Sequence, residues 1–272
     1  TVDIADAQLI WPGSFIDYPD VDAAHEAQVL LHTLDGAFAE ALLALLLFGE
    51  ARTHAVDGGE SARERWERDI VERREAEDMA WQGRPDPIWI GDCDAMNRAM
   101  AAKRIEGERE LTRRRWARGE LPRSVAHHLP FMYARAFLFA LDSIEKALNV
   151  LAASPVPTAA ADAAEHLAAA VPGLRQVRDT AHHTEDRVRG RDRRGNPLDL
   201  KPIDTAFIRA PGGAIIINNL NDTRYGCTVE DGRFLEVDVT AASLAAARDA
   251  IQGVLDSVSW RGNHHPRRSP TV

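Results

Sequence analysis

The amino-acid sequence predicts a mainly α protein: a helical bundle, then a small three-stranded antiparallel β-meander and a C-terminal helix. Three observations predict it. Apolar residues recur at three- and four-residue steps through the first two-thirds of the 272-residue chain. After Pro202 the apolar period drops to two, as strands with one buried face require. The last apolar-periodic run then follows Thr240, a residue type that caps helix N-termini.

Taken in order, Leu31, Leu34, Phe38, Leu42 and Leu45 place one amphipathic helix over roughly Asp22 to Phe48. The stretch Ser61 to Trp81 keeps Trp66, Ile70 and Trp81 on a thin apolar stripe within dense charge, as a solvent-facing helix does. A further charged helix is expected from Asp94 to about Arg118. Pro122 and Pro130 bracket what reads as a short turn or a single helical turn. From Phe131 to Ala153 the pattern is strongest, with Ala134, Leu138, Leu141, Ile144, Leu148 and Leu151 on one face. The run SPVPT stops that helix, and an alanine-rich one is expected from Thr158. Pro172 fits the first turn of a helix whose stripe is Leu174, Val177, Ala181, Thr184 and Val188, with Gly190 as its C-terminal cap.

Beyond Pro202, Tyr225, Cys227 and Val229 alternate, as do Leu235, Val237 and Val239, with Asp231–Gly232 turning a hairpin between them. Ala214–Ile217 is the expected third strand. Leu244, Ala247, Ile251, Val254 and Val258 face inward from the last helix, which is expected to cover the sheet. The domain boundaries that follow are residues 1–195 for the bundle, 196–262 for the meander with its helix, and 263–272 for a disordered tail.

Composition narrows the function classes. The chain is 45% hydrophobic with a formal net charge of −9, so a nonspecific polyanion binder is not expected and any nucleic-acid contact must be local. Cys93 and Cys227 form neither a disulfide framework nor a metal spacing. The longest apolar run, Ala37 to Phe48, is short for a bilayer span and is interrupted by Glu40, and no basic-then-apolar leader precedes it. A cytoplasmic protein with no membrane partner is therefore expected.

One segment departs from the acidic balance. Residues 175–194 hold seven arginines against Asp179, Glu185, Asp186 and Asp192, a local +3 within a −9 chain. Arg178 and His183 lie five residues apart, about 140° around an α-helix, so they can flank one hollow. An imidazole can take the proton of a ribose 2′-hydroxyl or protonate a leaving oxygen, because histidine titrates near neutral pH. A guanidinium can brace phosphate oxygens as charge builds on them. Such chemistry needs an acid, a base and a charge brace, so neither metal nor cofactor is expected.

RDTAHH, Arg178 to His183, resembles the arginine–four residues–histidine motif of HEPN domains, in which a polar residue such as Asp179 follows the arginine. The resemblance covers the chain up to about Arg189. It implies a helical bundle with the motif on a late helix after a long core helix, here Phe131–Ala153. It implies a metal-independent endoribonuclease of toxin–antitoxin or phage-defence type, a homodimer sharing one cleft, and an antitoxin as partner. Carried over by residue, Arg178 braces phosphate, His183 is the acid/base, and Asp179 is the polar motif residue. Arg175, His182, Arg187, Arg189, Arg191, Arg193 and Arg194 flank them as RNA- or partner-binding residues.

RSVAHH, Arg123 to His128, fits the same spacing but lies between two prolines, where a helix looks cramped, and lacks the polar residue. The competing class is a non-catalytic interaction or regulatory module on the same fold, for which Arg178 and His183 are a solvated, ion-paired flank and Glu185–Arg187 a surface helix end. A third class, a metal site built from His182/His183, His127/His128 and His264/His265, lacks any two-histidine-plus-carboxylate spacing. Ala210–Ala214, APGGA, has no lysine or following helix of a phosphate loop and reads as a wide turn. Trp66, Trp81, Trp89, Trp116 and Trp260 read as packing rather than base-stacking residues.

Overall fold

A computed structural model describes residues 8–56, 62–84 and 93–262. Along these run α1 (Val21–Val56), α2 (Ala62–Trp81), α3 (Cys93–Ala117), α4 (Arg123–Ala152), α5 (Ala160–Ala170), α6 (Leu174–His182), α7 (Thr184–Val188) and α8 (Ala241–Asp256). The strands are β1 (Phe15–Ile16), β2 (Ile203–Asp204), β3 (Arg209–Ala210), β4 (Asn219–Asn221), β5 (Arg224–Thr228), β6 (Phe234–Asp238) and β7 (Trp260–Arg261). The chain is mainly helical, with small antiparallel sheets. It divides into two compact units, one of residues 1–50 with 130–272 and one of residues 51–129. The boundary expected near residue 195 falls inside the first of these. The tail expected at 263–272, with His264 and His265, lies outside the described residues, as does Trp89.

The first unit is built on two long stripes. α1 buries Ala27, Leu31, Leu34, Phe38, Ala41, Leu45 and Phe48, and α4 buries Ala134, Leu138, Leu141, Ile144, Leu148 and Leu151, all in one cluster. Each such leucine taken fully from water contributes roughly 1.5–3 kcal/mol before entropy is set against it. α1 is long and apolar enough by length and composition to cross a bilayer, but the face just named is packed into this core. α5 offers small residues, Ala160, Ala163 and Ala164, around Leu167, and packs against α8.

Two expectations about the sheet hold. β5 and β6 pair with Tyr225 opposite Val237 and Cys227 opposite Leu235, and Gly232, at φ 81°, lets the turn close with its N–H donating to the Val229 carbonyl at 3.0 Å. Thr240 caps α8 by accepting from the Ser243 N–H. Two others do not. The third strand is Asn219–Asn221, paired to β5 through a turn in which Asp222 takes φ 54°. Ala214–Ile217 is instead tied to Thr228, whose N–H donates to the Ile216 carbonyl at 2.6 Å and whose hydroxyl donates to the Ala214 carbonyl at 2.8 Å and accepts from the Ile216 N–H at 2.9 Å. The helix laid across β5 and β6 is α6 rather than α8. A Cβ on Gly173, just before α6, would lie 3.6 Å from Leu235 Cδ1.

The expected turn between Pro122 and Pro130 is helix. α4 begins at Arg123 and carries Pro130 within it. The Pro122 carbonyl accepts from both Val125 and Ala126 at 2.9 Å, starting the helix about two turns before Pro130. Pro130 therefore costs one backbone bond without ending the helix.

In the second unit α2 and α3 are antiparallel: Arg115 pairs with Asp69 at 2.7 Å and Glu72 at 2.8 Å, Arg73 with Glu108, and Lys103 with Asp78 at 3.9 Å. Among the described residues of these two helices only Ala76, Gly107 and Leu111 are buried. Gly107 is a close-approach point, since a Cβ there would stand 2.3 Å from Glu77 Cγ.

Candidate functional site

α6 presents two faces. Leu174, Val177, Thr180 and Ala181 are buried, with the Cys227 thiol of β5 lying 3.6 Å from the Val177 carbonyl oxygen. Burial pushes that thiol up to about 12, the neighbouring Thr180 hydroxyl and Arg187 pulling weakly the other way, so it is a packing group rather than a nucleophile. Arg175, Arg178, Asp179 and His182 lie on the other face.

Arg178 is turned toward α4. Its Nη2 donates to Asp142 Oδ1 at 2.7 Å, and its Nη1 pairs with Asp179 Oδ1 at 2.7 Å. The second Asp142 oxygen holds Lys146 Nζ at 2.8 Å. Asp142 is buried on the apolar helix, so this carboxylate is tolerated only because two cations satisfy it. Glu145, one turn on, sits above the usual carboxylate range. Burial is the main cause and the Asp142 charge the second, with Arg175, Arg178 and Lys146 acting in the opposite direction. Arg178 keeps a side-chain exposure of 12%.

The expected single helix from Leu174 to Val188 breaks at His183, which leaves helical geometry at φ −111°, ψ 50° while its N–H still donates to the Asp179 carbonyl. α7 restarts out of phase. The inward position passes from Val188, 64% exposed, to Arg187, 3% exposed. Arg187 Nη1 donates to the Arg191 carbonyl at 2.7 Å and pins the following turn. This corrects two expectations at once: Glu185–Arg187 is not simply a surface helix end, and Arg187 is not placed to meet RNA.

The histidines lie where α6 stops. The His182 ring stands edge-on to Phe139 of α4, 5.9 Å between centroids, and to His183 at 5.0 Å. His183 has a side-chain exposure of 54%, and its Nδ1 is 3.6 Å from Glu185 Oε1, an attraction that operates when the imidazole is protonated. Arg178 and His183 make no hydrogen bond to each other: the arginine faces α4 and the histidine faces solvent.

The arginine-rich turn is largely self-engaged. Arg189 donates to the Glu185 carbonyl at 3.1 Å and pairs with Asp186 at 2.6 Å; Arg191 donates to the Gly195 carbonyl at 3.3 Å; Arg193 pairs with Glu230 at 2.8 Å. Asp192 accepts from the backbone N–H groups of Arg194 and Asn196, and the Asn196 side-chain amide is the main cause of its carboxyl lying below its usual range. Gly190, at φ 67°, is the left-handed residue just past α7. Arg175 and Arg194 make no side-chain hydrogen bond or ion pair among the described residues.

The structure therefore brings together groups that the motif alone does not name. Asp142, Glu145, Lys146 and Phe139 of α4 meet Arg178, Asp179 and His182. Their sequence signal is an acid, Asp142, set between Leu141 and Ile144 on the most regular apolar helix. RSVAHH lies on continuous helix, so helical context no longer separates it from RDTAHH. The Arg123 side chain is outside the described residues, and the rings of His127 and His128 stand 5.8 Å apart. No group of three His, Cys, Asp or Glu among the described residues is placed to hold a metal ion. No protein-family model, curated protein or solved structure matches the chain.

Proposed function

We propose that this chain is a metal-independent endoribonuclease of the HEPN type, acting as a homodimer in toxin or phage-defence chemistry, with its site at the C-terminal end of α6. One observation carries the reading. The helix stops at His183, leaving that imidazole more than half exposed beside Glu185 and His182, five residues after an arginine fixed by Asp142 and Asp179. A guanidinium already oriented by two carboxylates loses little freedom when phosphate oxygens arrive. In this reading His183 Nε2 takes the 2′-hydroxyl proton as the 2′-oxygen bonds to phosphorus. The P–O5′ bond breaks, and the protonated His182 supplies the proton to the leaving 5′-oxygen. Arg178 offsets the charge on the non-bridging oxygens once the phosphate displaces the exposed Asp179 carboxylate from its Nη1, Asp142 still holding Nη2. The products are a 2′,3′-cyclic phosphate end and a 5′-hydroxyl end.

The test is cleavage of mixed RNA by wild type, His183→Ala and His128→Ala, with EDTA present and product ends read by mass spectrometry. Wild type and His128→Ala should cut in EDTA, and His183→Ala should not, with thermal stability nearly unchanged. Equal cutting by His183→Ala, or cutting lost in EDTA and restored by a divalent ion, removes the proposal. A second reading, a non-catalytic interaction module, has its own support: five of the seven arginines of residues 175–194 are engaged within the chain, which leaves little free basic surface.

A further inference from the structure

The second unit carries a surface that none of the preceding chemistry uses. The side of α3 turned away from α2 forms an open groove of about 720 Å³ lined by Arg104, Ile105, Glu108, Arg109, Thr112, Arg113 and Trp116. Ile105, Arg109, Thr112 and Trp116 fall within about 60° of one another around the helix, along a track about 16 Å long. Trp116 is 63% exposed and Ile105 53%, so this indole is not a packing residue as expected from the sequence.

We infer that this groove is a binding track for single-stranded RNA, with Trp116 as a base-stacking platform and Arg104, Arg109 and Arg113 meeting phosphates. The inference rests on RNA being the substrate, not on the cleavage chemistry. Charge is the first argument. Three arginines line the groove against one glutamate. Residues 51–129 hold sixteen Lys/Arg and sixteen Asp/Glu, so the whole −9 of the chain falls on the other unit, and a polyanion meets least repulsion here. Availability is the second. Arg104 makes no ion pair among the described residues. Arg109 pairs with Glu106, and Arg113 with Glu110, only as exposed neighbours one turn apart, contacts weak enough for a phosphate to displace. Pattern is the third. A partner helix would want an unbroken apolar seam at three- and four-residue steps, but here Arg109 and Thr112 interrupt it between Ile105 and Trp116. Arginine interleaved with an exposed indole instead matches the stacking-plus-phosphate chemistry of single-strand binding.

The experiment is fluorescence anisotropy of a labelled 12-mer RNA with the full chain carrying His183→Ala, so that nothing is cut. Trp116→Ala should weaken binding about 5- to 100-fold, as loss of a stacked base does. Trp116→Phe should keep most of the affinity, which controls for folding. Arg104→Gln and Arg113→Gln should each reduce the salt slope by about 0.7. No RNA binding by the parent, or Trp116→Ala binding within twofold of it, would overturn the inference. So would unchanged RNA binding alongside lost binding of an acidic amphipathic peptide. If wild type cuts no RNA but Trp116→Ala still loses binding, the track stands and the catalytic reading falls. If wild type cuts and Trp116→Ala binds normally, the track alone falls.

Discussion

The unit built on α1 and α4 and the α2–α3 pair are both helical, yet they are held by different forces. In the first, two stripes of leucine, phenylalanine and alanine are almost fully removed from water, and the one buried carboxylate on α4, Asp142, is enclosed by cations. In the second, two helices meet over three buried residues among those described and a ladder of ion pairs, with Arg115 bridging Asp69 and Glu72, and Arg118 reaching Glu72 at 3.1 Å. Burial scales with area and is insensitive to salt, whereas the exposed pairs of the ladder, such as Arg73 with Glu108, are weak and screened. The first unit should accordingly unfold cooperatively, and the second should open at lower cost.

The sharpest way to break this contrast is Leu148→Ala, which leaves a cavity where the side chain is wholly buried and should cost about 2–5 kcal/mol. Hydrogen exchange should quicken throughout α1, α4 and α8 while α2 and α3 keep their rates. If all helices speed up together, the two units are one cooperative body. Next, Asp142→Ala should cost about 3 kcal/mol by stranding Arg178, and adding Arg178→Met should recover most of it. A purely additive double mutant in denaturant melts would mean that the pair is not coupled.

Alkali tests the same unit through its titrating core. Cys227 is raised from its ordinary 9.0, and Tyr225 from 10.0, each to about 12 and each chiefly by burial. The folded state holds both protons more tightly than the unfolded chain, so this stability is intact below pH 9 and drains away as pH climbs toward 12. The loss should approach about 1.4 kcal/mol per pH unit for each group. Cys227→Ala should flatten the slope, and an unchanged slope would place the thiol nearer water. The smallest effect belongs to the second unit. Arg73→Ala, which removes only the exposed pair with Glu108, should cost about 1 kcal/mol or less, and 0.5 M salt should erase most of the difference from wild type. A larger, salt-independent cost would show that Arg73 acts by packing.

What was legible in the sequence follows the same divide. The stripes of α1 and α4, the Thr240 cap and the Asp231–Gly232 turn each announce themselves by period or by one residue with a fixed role. The break at His183 does not, because no glycine or proline marks it. Only the surrounding fold, by taking Arg187 inward, shows that the phase has changed. Pro130 misleads in the other direction, since a helix can begin about two turns before a proline and carry it. Asn219–Asn221 lacks strand-forming residues and pairs because β5 offers it a partner, whereas Ala214–Ile217 has the residues and lacks the ladder. Tertiary pairing overrode local preference in both segments. Of the candidate site, the sequence shows the arginine and the histidines, but not Asp142, whose role depends on α4 and α6 lying side by side.

The three-stranded sheet of β4, β5 and β6 ends in two unpaired rims. An open rim is a template on which another chain can add a strand, and the usual remedies are brevity and charge. Both are present here. β4 is three residues long and offers two asparagines, while β6 carries an exposed Asp238 beside Glu236, which Arg224 holds at 3.6 Å. A second molecule docking edge to edge on β6 would bring like charges into line in a low-dielectric seam, and one docking on β4 would find almost no ladder to extend. The segment with the densest β-branched run, Ile215–Ile217, is kept out of the ladder and tied through Thr228. Thr228→Val would remove the two side-chain bonds and leave only the backbone bond from residue 228 to the Ile216 carbonyl, loosening an apolar run that the hydroxyl holds in place.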